Sequence, residues 1–207
     1  MNEITAITPQ QKDKRRCNVY VDGRFYCGLT LEAAVKNRLK VGQIVTEELL
    51  DSIQMESEKN TAMDKALTHL SATRKTEKQI REYLAAKGYL SSVVDYVVER
   101  LYSYGFLNDG EYAEAYIESA VKRKGGRLIR MELKGKGVSE ETIDVAMESL
   151  SKEDEEESAR QILQKYMRGK VITRESLQKA YRYLMGKGFD YETARAALKA
   201  FGECEED

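Results

Sequence analysis

The sequence predicts an all-α protein: an elongated array of three three-helix modules, preceded by a small N-terminal segment with a β-hairpin. Three observations lead to this prediction. Pro9 is the only proline among the 207 residues, so the rest of the chain lacks the residue that most often interrupts helices. Near the N-terminus, two β-prone runs flank an Asp-Gly turn. Later in the chain, a Lys-Gly pair recurs at nearly constant spacing, which is typical of helical repeats.

The N-terminal segment, residues 1–60, carries the strongest β signal. The runs Cys17–Val21 and Arg24–Cys27 surround Asp22-Gly23, a dipeptide that accepts the positive φ angles of a two-residue hairpin turn. A β-hairpin is therefore predicted here. Because an isolated hairpin is marginally stable in water, it is expected to pack against neighbouring helices.

The register of this hairpin predicts the positions of two cysteines. With a two-residue turn, Val19 faces Tyr26, and Cys17 and Cys27 lie on opposite faces of the hairpin. A disulfide between them is therefore not expected.

Two helices are predicted after the hairpin. Thr30 is a candidate N-cap for a short helix that runs through Leu39 and ends at Gly42, and Thr46 is a candidate N-cap for the next helix.

The following part of the chain repeats a Lys-Gly pair at the end of a helical pattern. The pairs are Lys87-Gly88, Lys136-Gly137 and Lys187-Gly188, whose glycines are 49 and 51 residues apart. Leucine stands four residues before each glycine, and mostly apolar residues recur after it at the spacing of one helix face. Each unit therefore contains a helix that ends at a left-handed glycine, a tight turn and a second amphipathic helix.

A further helix is predicted upstream of each pair, at Ala62–Ala72, Glu111–Lys122 and Glu155–Met167. Three helices per unit give modules at residues 61–109, 110–152 and 153–207, and the last module ends in an acidic tail that is expected to be disordered. Since modules of this size bury little core alone, neighbouring modules are expected to stabilise one another.

Composition argues against most catalytic and metal chemistry. With one histidine, His69, and cysteines only at positions 17, 27 and 204, neither a zinc site of usual spacing nor a catalytic triad can be assembled. The phosphate-binding patterns GxxxxGK[ST] and GxGxxG do not occur. The sequence thus predicts a protein that is not an enzyme and uses no cofactor. Because no apolar run approaches the roughly 18 residues of a membrane span, a cytoplasmic protein with reduced cysteines is expected.

A near-neutral net charge of −1 conceals two basic windows. The window Lys122–Lys136 has seven basic residues against one acidic residue, and the window Arg160–Lys187 has eight against one. Acidic residues lie at their borders, in the run Glu153–Glu157 and in the C-terminal tail. Such windows are typical of surfaces that meet phosphates or an acidic protein groove.

The order of motifs in the modules resembles the RecX family of regulatory proteins. The matching elements are Ala66-Leu67 with Leu70, Arg74–Arg81 with Leu84, Lys87-Gly88-Tyr89, Gly105–Asp109 with Tyr112-Ala113 and Tyr116, and Arg130 with Glu132-Leu133 and Lys136-Gly137-Val138. They cover about two thirds of the chain, and their combination is specific although each element alone is weak. The Gly125-Gly126 pair and the stretch Met167–Thr173 depart from the commoner spacing of the family.

The resemblance implies a non-enzymatic regulator of RecA. Such proteins lie along the helical groove of the RecA filament on single-stranded DNA, restrain its ATPase and strand exchange, and favour filament disassembly. The expected partners are the RecA filament and single-stranded DNA, bound directly or through the filament, and a monomer is expected. A stand-alone nucleic-acid-binding module and a generic helical scaffold for another protein are the alternatives.

Basic residues at three places are the candidate contacts. Gly125-Gly126 is expected to place a mobile bend inside the first basic window, although a solvated loop is the alternative. The second window has the alternative of pairing with Glu153–Glu157. The candidate partner- and DNA-binding residues are Arg74, Lys75, Lys78, Arg81, Lys122, Arg123, Lys124, Arg127, Arg130, Lys134, Lys165, Arg168, Arg174 and Arg182.

The tyrosines and Asp109 have simpler interpretations. Residues such as Tyr112, Tyr116 and Tyr183 could stack on bases, but their helical spacing favours a position at the edge of the core with the hydroxyl toward solvent. Asp109 is expected to N-cap the following helix.

Overall fold

The N-terminal segment forms a four-stranded antiparallel sheet in the order β3-β2-β1-β4. The computed structural model describes residues 2–11 and 13–203; Cys204 and most of the predicted acidic tail lie outside the described residues. The strands are β1 (Asn2–Pro9), β2 (Arg16–Val21), β3 (Arg24–Thr30) and β4 (Ile44–Val45). The hairpin is confirmed as β2 and β3. The two other strands were not predicted, because β1 buries only Ile4 and β4 has two residues, so neither shows a periodic apolar pattern.

A β-bulge changes the predicted register of the hairpin. Val21 pairs with Arg24 beside the turn, but Val19 pairs with Cys27 rather than with Tyr26, because Tyr26 is an extra residue on β3. An inserted residue moves all later side chains of that strand to the other face.

The bulge also brings the two hairpin cysteines into one core. Cys17 and Cys27 are both buried in the cluster beneath the sheet, so their prediction on opposite faces was wrong. Both are free thiols. Burial raises the pKa of the Cys17 thiol and, helped by the nearby Cys17 sulfur, raises that of Cys27 to about 11.

Helices α1 (Leu31–Lys36) and α2 (Glu47–Ala72) pack against this sheet. Thr30 caps α1 by accepting a hydrogen bond from the Ala33 amide, and Thr46 caps α2 in the same way, as predicted. Helix α1 ends before Leu39, because Arg38 adopts a left-handed conformation with φ of 52°. Helix α2 is continuous through the position where a separate helix was expected to start at Ala62, since no glycine or proline interrupts it.

In the described residues, eight further helices complete the three three-helix modules and confirm the predicted fold class. The first module consists of the second half of α2 with α3 and α4, the second of α5 to α7, and the third of α8 to α10. The helices are α3 (Glu77–Ala86), α4 (Ser91–Ser103), α5 (Asp109–Ala120), α6 (Gly126–Gly135), α7 (Glu140–Met147), α8 (Lys152–Met167), α9 (Arg174–Gly186) and α10 (Tyr191–Glu203).

The Lys-Gly repeat marks equivalent turns in the three modules. Gly88, Gly137 and Gly188 have φ of 87°, 90° and 92°, the left-handed conformation that glycine accepts without steric cost. The leucines four residues earlier are all fully buried. The predicted helix face therefore forms the core of each module.

The chain divides into two compact units, Met1–Thr73 with Ile80–Phe106, and Arg74–Gln79 with Leu107–Asp207. The first contains the sheet and its core; the second contains the cores of the second and third modules. Within the described ranges, the helices include none that is long and apolar enough to cross a membrane.

Asp109 has a different role from the one predicted. The N-cap of α5 is Asn108, whose side-chain oxygen accepts hydrogen bonds from the amides of the first turn. Asp109 instead accepts a hydrogen bond of 2.9 Å from the Glu77 amide, the first residue of α3. Burial raises the pKa of the Asp109 carboxyl. A carboxylate placed at the start of α3 compensates an amide that the helix leaves without a partner.

Candidate partner-binding surface

The start of α6 is held against the turn between α9 and α10 by backbone hydrogen bonds. The Gly125 amide donates to the Lys187 carbonyl at 2.9 Å, and the Arg127 amide donates to the Gly188 carbonyl at 3.1 Å. A Cβ atom added to Gly125 would lie 2.5 Å from the carbonyl carbon of Gly188. We call this contact the α6 joint.

The α6 joint replaces the mobile bend that was expected at Gly125-Gly126. Both glycines are buried, and Gly125 is the N-cap of α6. The Gly126 amide donates a hydrogen bond of 2.5 Å to the Glu155 carboxylate, which fixes the segment further. The pair is therefore explained by close packing of backbone on backbone and not by freedom of the loop.

The α6 joint brings the two basic windows together. Lys122, Arg123 and Arg127 come from the first window and are exposed around the joint, and Lys187 of the second window supplies its carbonyl. Arg123 donates a hydrogen bond of 3.4 Å to the Ser119 carbonyl. The sequence separates these windows by more than twenty residues, so only the tertiary contact makes one basic region of them.

Lys124 is committed to an internal network. Its Nζ lies 2.6 Å from Glu132 Oε2, and the Tyr116 hydroxyl donates to the same carboxylate oxygen at 2.5 Å. The hydrogen bond to Glu132 raises the pKa of Lys124. Although burial acts to raise the pKa of Glu132, the hydrogen bonds from Lys124 and Tyr116 hold it below its usual value. Lys124 thus stabilises the second module and offers little free charge.

The other two candidates of the first window are also paired. Arg130 forms ion pairs with Asp144 and, at 3.7 Å, with Glu140, and Lys134 pairs with Glu140 as well. Both basic side chains remain partly or largely exposed. Because exposed pairs contribute at most about 1 kcal/mol, a strongly acidic partner could compete for them.

The second window presents more unpaired charge. Of its basic residues, Arg160 pairs with Glu157 and Lys179 with Glu175, so pairing with the acidic run occurs only at Arg160 among the described residues. The exposed candidates for which the described residues provide no ion pair are Lys165, Arg168, Arg174 and Arg182.

Stacked tyrosines lie beside this charge in the third module. The rings of Tyr166 on α8 and Tyr183 on α9 stack with centroids 4.2 Å apart. Lys170 Nζ lies 3.2 Å from the centre of the Tyr166 ring, and Lys187 Nζ lies 5.4 Å from that of Tyr183. Lysine over a half-buried aromatic ring can meet a phosphate or a carboxylate, and the ring edges can meet a base.

The first module has a matching cluster that sequence reasoning missed. His69 stacks on Tyr83 with ring centroids 4.1 Å apart, and Lys87 lies 5.5 Å from the Tyr83 ring centre. The signal was present as Tyr-x-x-x-Lys-Gly, which occurs at Tyr83–Gly88 and again at Tyr183–Gly188. All the tyrosines named as candidates are half-buried, as their helical spacing predicted.

Of the basic residues before and in α3, Lys78 belongs to a second joint, in which the start of α3 contacts the turn at Lys136-Gly137. The Lys78 ammonium donates a hydrogen bond of 3.1 Å to the Gly135 carbonyl, and a Cβ atom on Gly137 would lie 2.6 Å from Lys78 Cδ. Arg81 forms an ion pair of 2.5 Å with Asp95. Arg74 is exposed and Lys75 is half-buried. Lys78 and Arg81 therefore have structural partners within the chain.

Models of one protein family match most of the chain. "Regulatory protein RecX N-terminal domain" matches residues 2–46, and the first, second and third three-helix domains of RecX match residues 62–101, 108–147 and 153–198. Proteins named "Regulatory protein RecX" from Clostridium tetani and Clostridium beijerinckii are 31% and 32% identical over 96% of this chain and cover 94% and 95% of their own length.

Two solved structures share this fold. One, described as the crystal structure of regulatory protein RecX, has a TM-score of 0.70 at 26% identity and covers 94% of this chain and 98% of its own. RecX from Lactobacillus salivarius has a TM-score of 0.64 at 20% identity, with 69% of this chain and 96% of its own covered, and supports the fold alone.

Proposed function

The chain belongs to the RecX family of regulatory proteins, and from this premise we propose that it binds the RecA filament on single-stranded DNA. There it modulates the filament, mostly by inhibiting its ATPase, strand exchange and growth. We propose that it acts in the cytoplasm as a monomer and without catalysis or cofactor. The division into a segment at 1–60 and modules at 61–109, 110–152 and 153–207 is part of this proposal.

The observation that supports the proposal is the basic region around the α6 joint. Lys122, Arg123 and Arg127 are exposed, and backbone contacts hold the segment that bears them against the turn at Lys187. A preorganised basic region loses little conformational entropy on binding, so its charge is effective against phosphates or an acidic groove. Several modules that each make modest contacts would add avidity along a repetitive filament.

The alternative is a module that binds single-stranded nucleic acid without RecA. The stacked Tyr166 and Tyr183 rings beside Lys170 and Lys187 favour this alternative, because aromatic rings and cations together bind bases and phosphates. It predicts DNA affinity that falls steeply with salt, by a slope of about −0.7 per phosphate contact.

The proposal is tested by single-stranded-DNA-dependent ATP hydrolysis by RecA, titrated with this protein from well below to equal stoichiometry. We expect inhibition below equal stoichiometry, and a loss of potency in the triple variant Lys122→Ala, Arg123→Ala, Arg127→Ala with unchanged helical content. Lys124 is left intact because it stabilises the second module.

The matched control removes the same charge from exposed, ion-paired positions outside both basic windows, with Arg15→Ala, Lys36→Ala and Lys152→Ala. It should inhibit nearly as well as the wild type. Equal potency of the two triple variants would reject the α6 joint as the contact region. No inhibition by the wild type, together with salt-sensitive DNA anisotropy, would support the stand-alone nucleic-acid module instead.

A further inference from the structure

The two joints of the second unit use one arrangement twice. In each, the N-cap residue at the start of a helix donates to the carbonyl of the lysine in a Lys-Gly turn. The Thr76 hydroxyl, before α3, donates to Lys136 at 2.7 Å, and the Gly125 amide, before α6, donates to Lys187 at 2.9 Å. Both N-cap residues stand twelve positions before the glycine of their own module.

The equivalent turn of the first module is open. Gly88 has the same left-handed conformation as the glycines of the other turns. Among the described residues, no atom lies within 4 Å of a Cβ atom built on Gly88, and none donates a hydrogen bond to the Lys87 carbonyl. In the second and third modules the Lys-Gly turn contacts the start of another helix, whereas the turn of the first module, with the same backbone conformation, is exposed.

The residue beside the open turn is unusual for its position. Leu90 is the N-cap of α4, makes no side-chain capping hydrogen bond and is 61% exposed. In the other modules this position holds Ser139, which accepts from the Thr142 amide at 3.1 Å, and Asp190, which accepts from the Thr193 amide at 2.7 Å. Leucine is among the poorest N-cap residues, so α4 is less stable than it would be with a polar cap. The leucine also leaves an apolar side chain exposed to solvent.

We propose that the turn at Lys87, Gly88 and Leu90 is a docking surface for the start of a helix on a protein partner. The partner's first turn would donate an amide or hydroxyl hydrogen to the Lys87 carbonyl, as Thr76 and Gly125 do within this chain, and an apolar side chain would cover Leu90. This inference rests on the proposed function, in which the protein partner is RecA, so the docking helix is expected to belong to a RecA subunit of the filament.

A second copy of this chain fits the surface less well. The position that matches Thr76 and Gly125 in the third module is Ser176, again twelve residues before its glycine. Ser176 lies inside α9, because that helix starts earlier, at Arg174, behind the N-cap Thr173. The additional turn of α9 therefore occupies the place where Ser176 would have to donate a hydrogen bond to the Lys87 carbonyl of a second copy.

The test separates folding from docking through two substitutions. Leu90→Ser supplies the capping residue of the second module, so it should raise the thermal unfolding midpoint by about 2–4 °C. It should also raise the concentration needed for half-inhibition of RecA ATPase by roughly tenfold, because an apolar contact is lost. Gly88→Asn keeps a residue that tolerates positive φ and places a side chain in the docking space, so it should likewise reduce inhibition.

The matched control is Gly42→Asn, at a glycine of the same unit that also has positive φ, 85°, and nothing within 4 Å of an added Cβ. It should inhibit like the wild type. If the wild type inhibits and Leu90→Ser and Gly88→Asn inhibit equally well, the docking surface is refuted while the proposed function stands. If the wild type does not inhibit, the proposed function itself fails.

Two further measurements identify another occupant. If Leu90→Ser weakens DNA binding in the absence of RecA, as measured by fluorescence anisotropy of labelled DNA, the surface binds nucleic acid. Concentration-dependent self-association in sedimentation that Leu90→Ser abolishes would assign it to a second copy. Either result overturns the proposed protein docking.

Discussion

Replacing Gly125 by alanine tests whether the α6 joint depends on close backbone contact. The φ of Gly125 is −83°, which alanine adopts freely, so the substitution causes no local backbone strain. The added methyl would instead lie 2.5 Å from the carbonyl carbon and 2.6 Å from the carbonyl oxygen of Gly188. These atoms belong to backbone and cannot move away as a side chain would.

The expected cost has two parts. Overpacking of a closely fitted contact costs about 1–3 kcal/mol. Separation of the two backbones weakens the hydrogen bonds from Gly125 and Arg127, each with a net contribution of about 1 kcal/mol. We therefore expect Gly125→Ala to lower the free energy of unfolding by about 2–4 kcal/mol, and also to weaken RecA inhibition because the two basic windows separate.

Urea unfolding followed by circular dichroism measures the first effect. The control is Gly135→Ala, at the C-terminal end of the same helix, where an added Cβ meets no atom within 4 Å. It should leave stability unchanged or raise it by up to about 1 kcal/mol, because alanine has the higher helix propensity. A free energy of unfolding for Gly125→Ala within about 0.5 kcal/mol of the wild type would refute the proposed close contact.

Two further predictions concern ionisable groups. Hydrogen bonds from Lys124 and Tyr116 lower the pKa of Glu132 in the folded state below its ordinary value of 4.5. The ionised carboxylate therefore stabilises the protein fully at pH values above 4.5, and this stabilisation is lost as the pH falls through the lower folded pKa. Glu132→Gln should thus reduce stability by about 1 kcal/mol at neutral pH and progressively less in acid, as measured by urea unfolding; an equal loss at both would contradict this. Since burial raises the pKa of Cys17 and Cys27, both thiols should resist iodoacetamide at neutral pH in the native protein and react after unfolding, with mass spectrometry as the readout. Rapid native modification of either one would contradict their burial.

The sequence was sufficient wherever the determining interactions are local. Helix faces follow from the side chains three and four residues apart, and the Lys-Gly turns follow from the freedom of glycine at positive φ. Thr30 and Thr46 were correctly placed as helix caps for the same reason, since a cap bonds to an amide three residues away.

The register of the hairpin and the cap of α5 differ from the sequence predictions because each depends on a shift of a single residue. The bulge at Tyr26 moved Cys27 to the same face as Cys17, and no propensity distinguishes a strand with a bulge from one without it. At the start of α5, Asn108 and Asp109 are both good capping residues, and the α3 amide at Glu77 decided their roles.

The fold class, the three-module repeat and the resemblance to the RecX family could all be predicted from the amino-acid sequence, because they depend on periodic patterns and local backbone preference. The close contact at Gly125, the ion pairs of the basic residues and the exposure of the first Lys-Gly turn could not be predicted in this way. Those properties depend on contacts between residues tens of positions apart, such as Gly125 with Lys187 and Thr76 with Lys136. Such contacts form only when the helices pack, so the spacing of residues along the chain does not predict them.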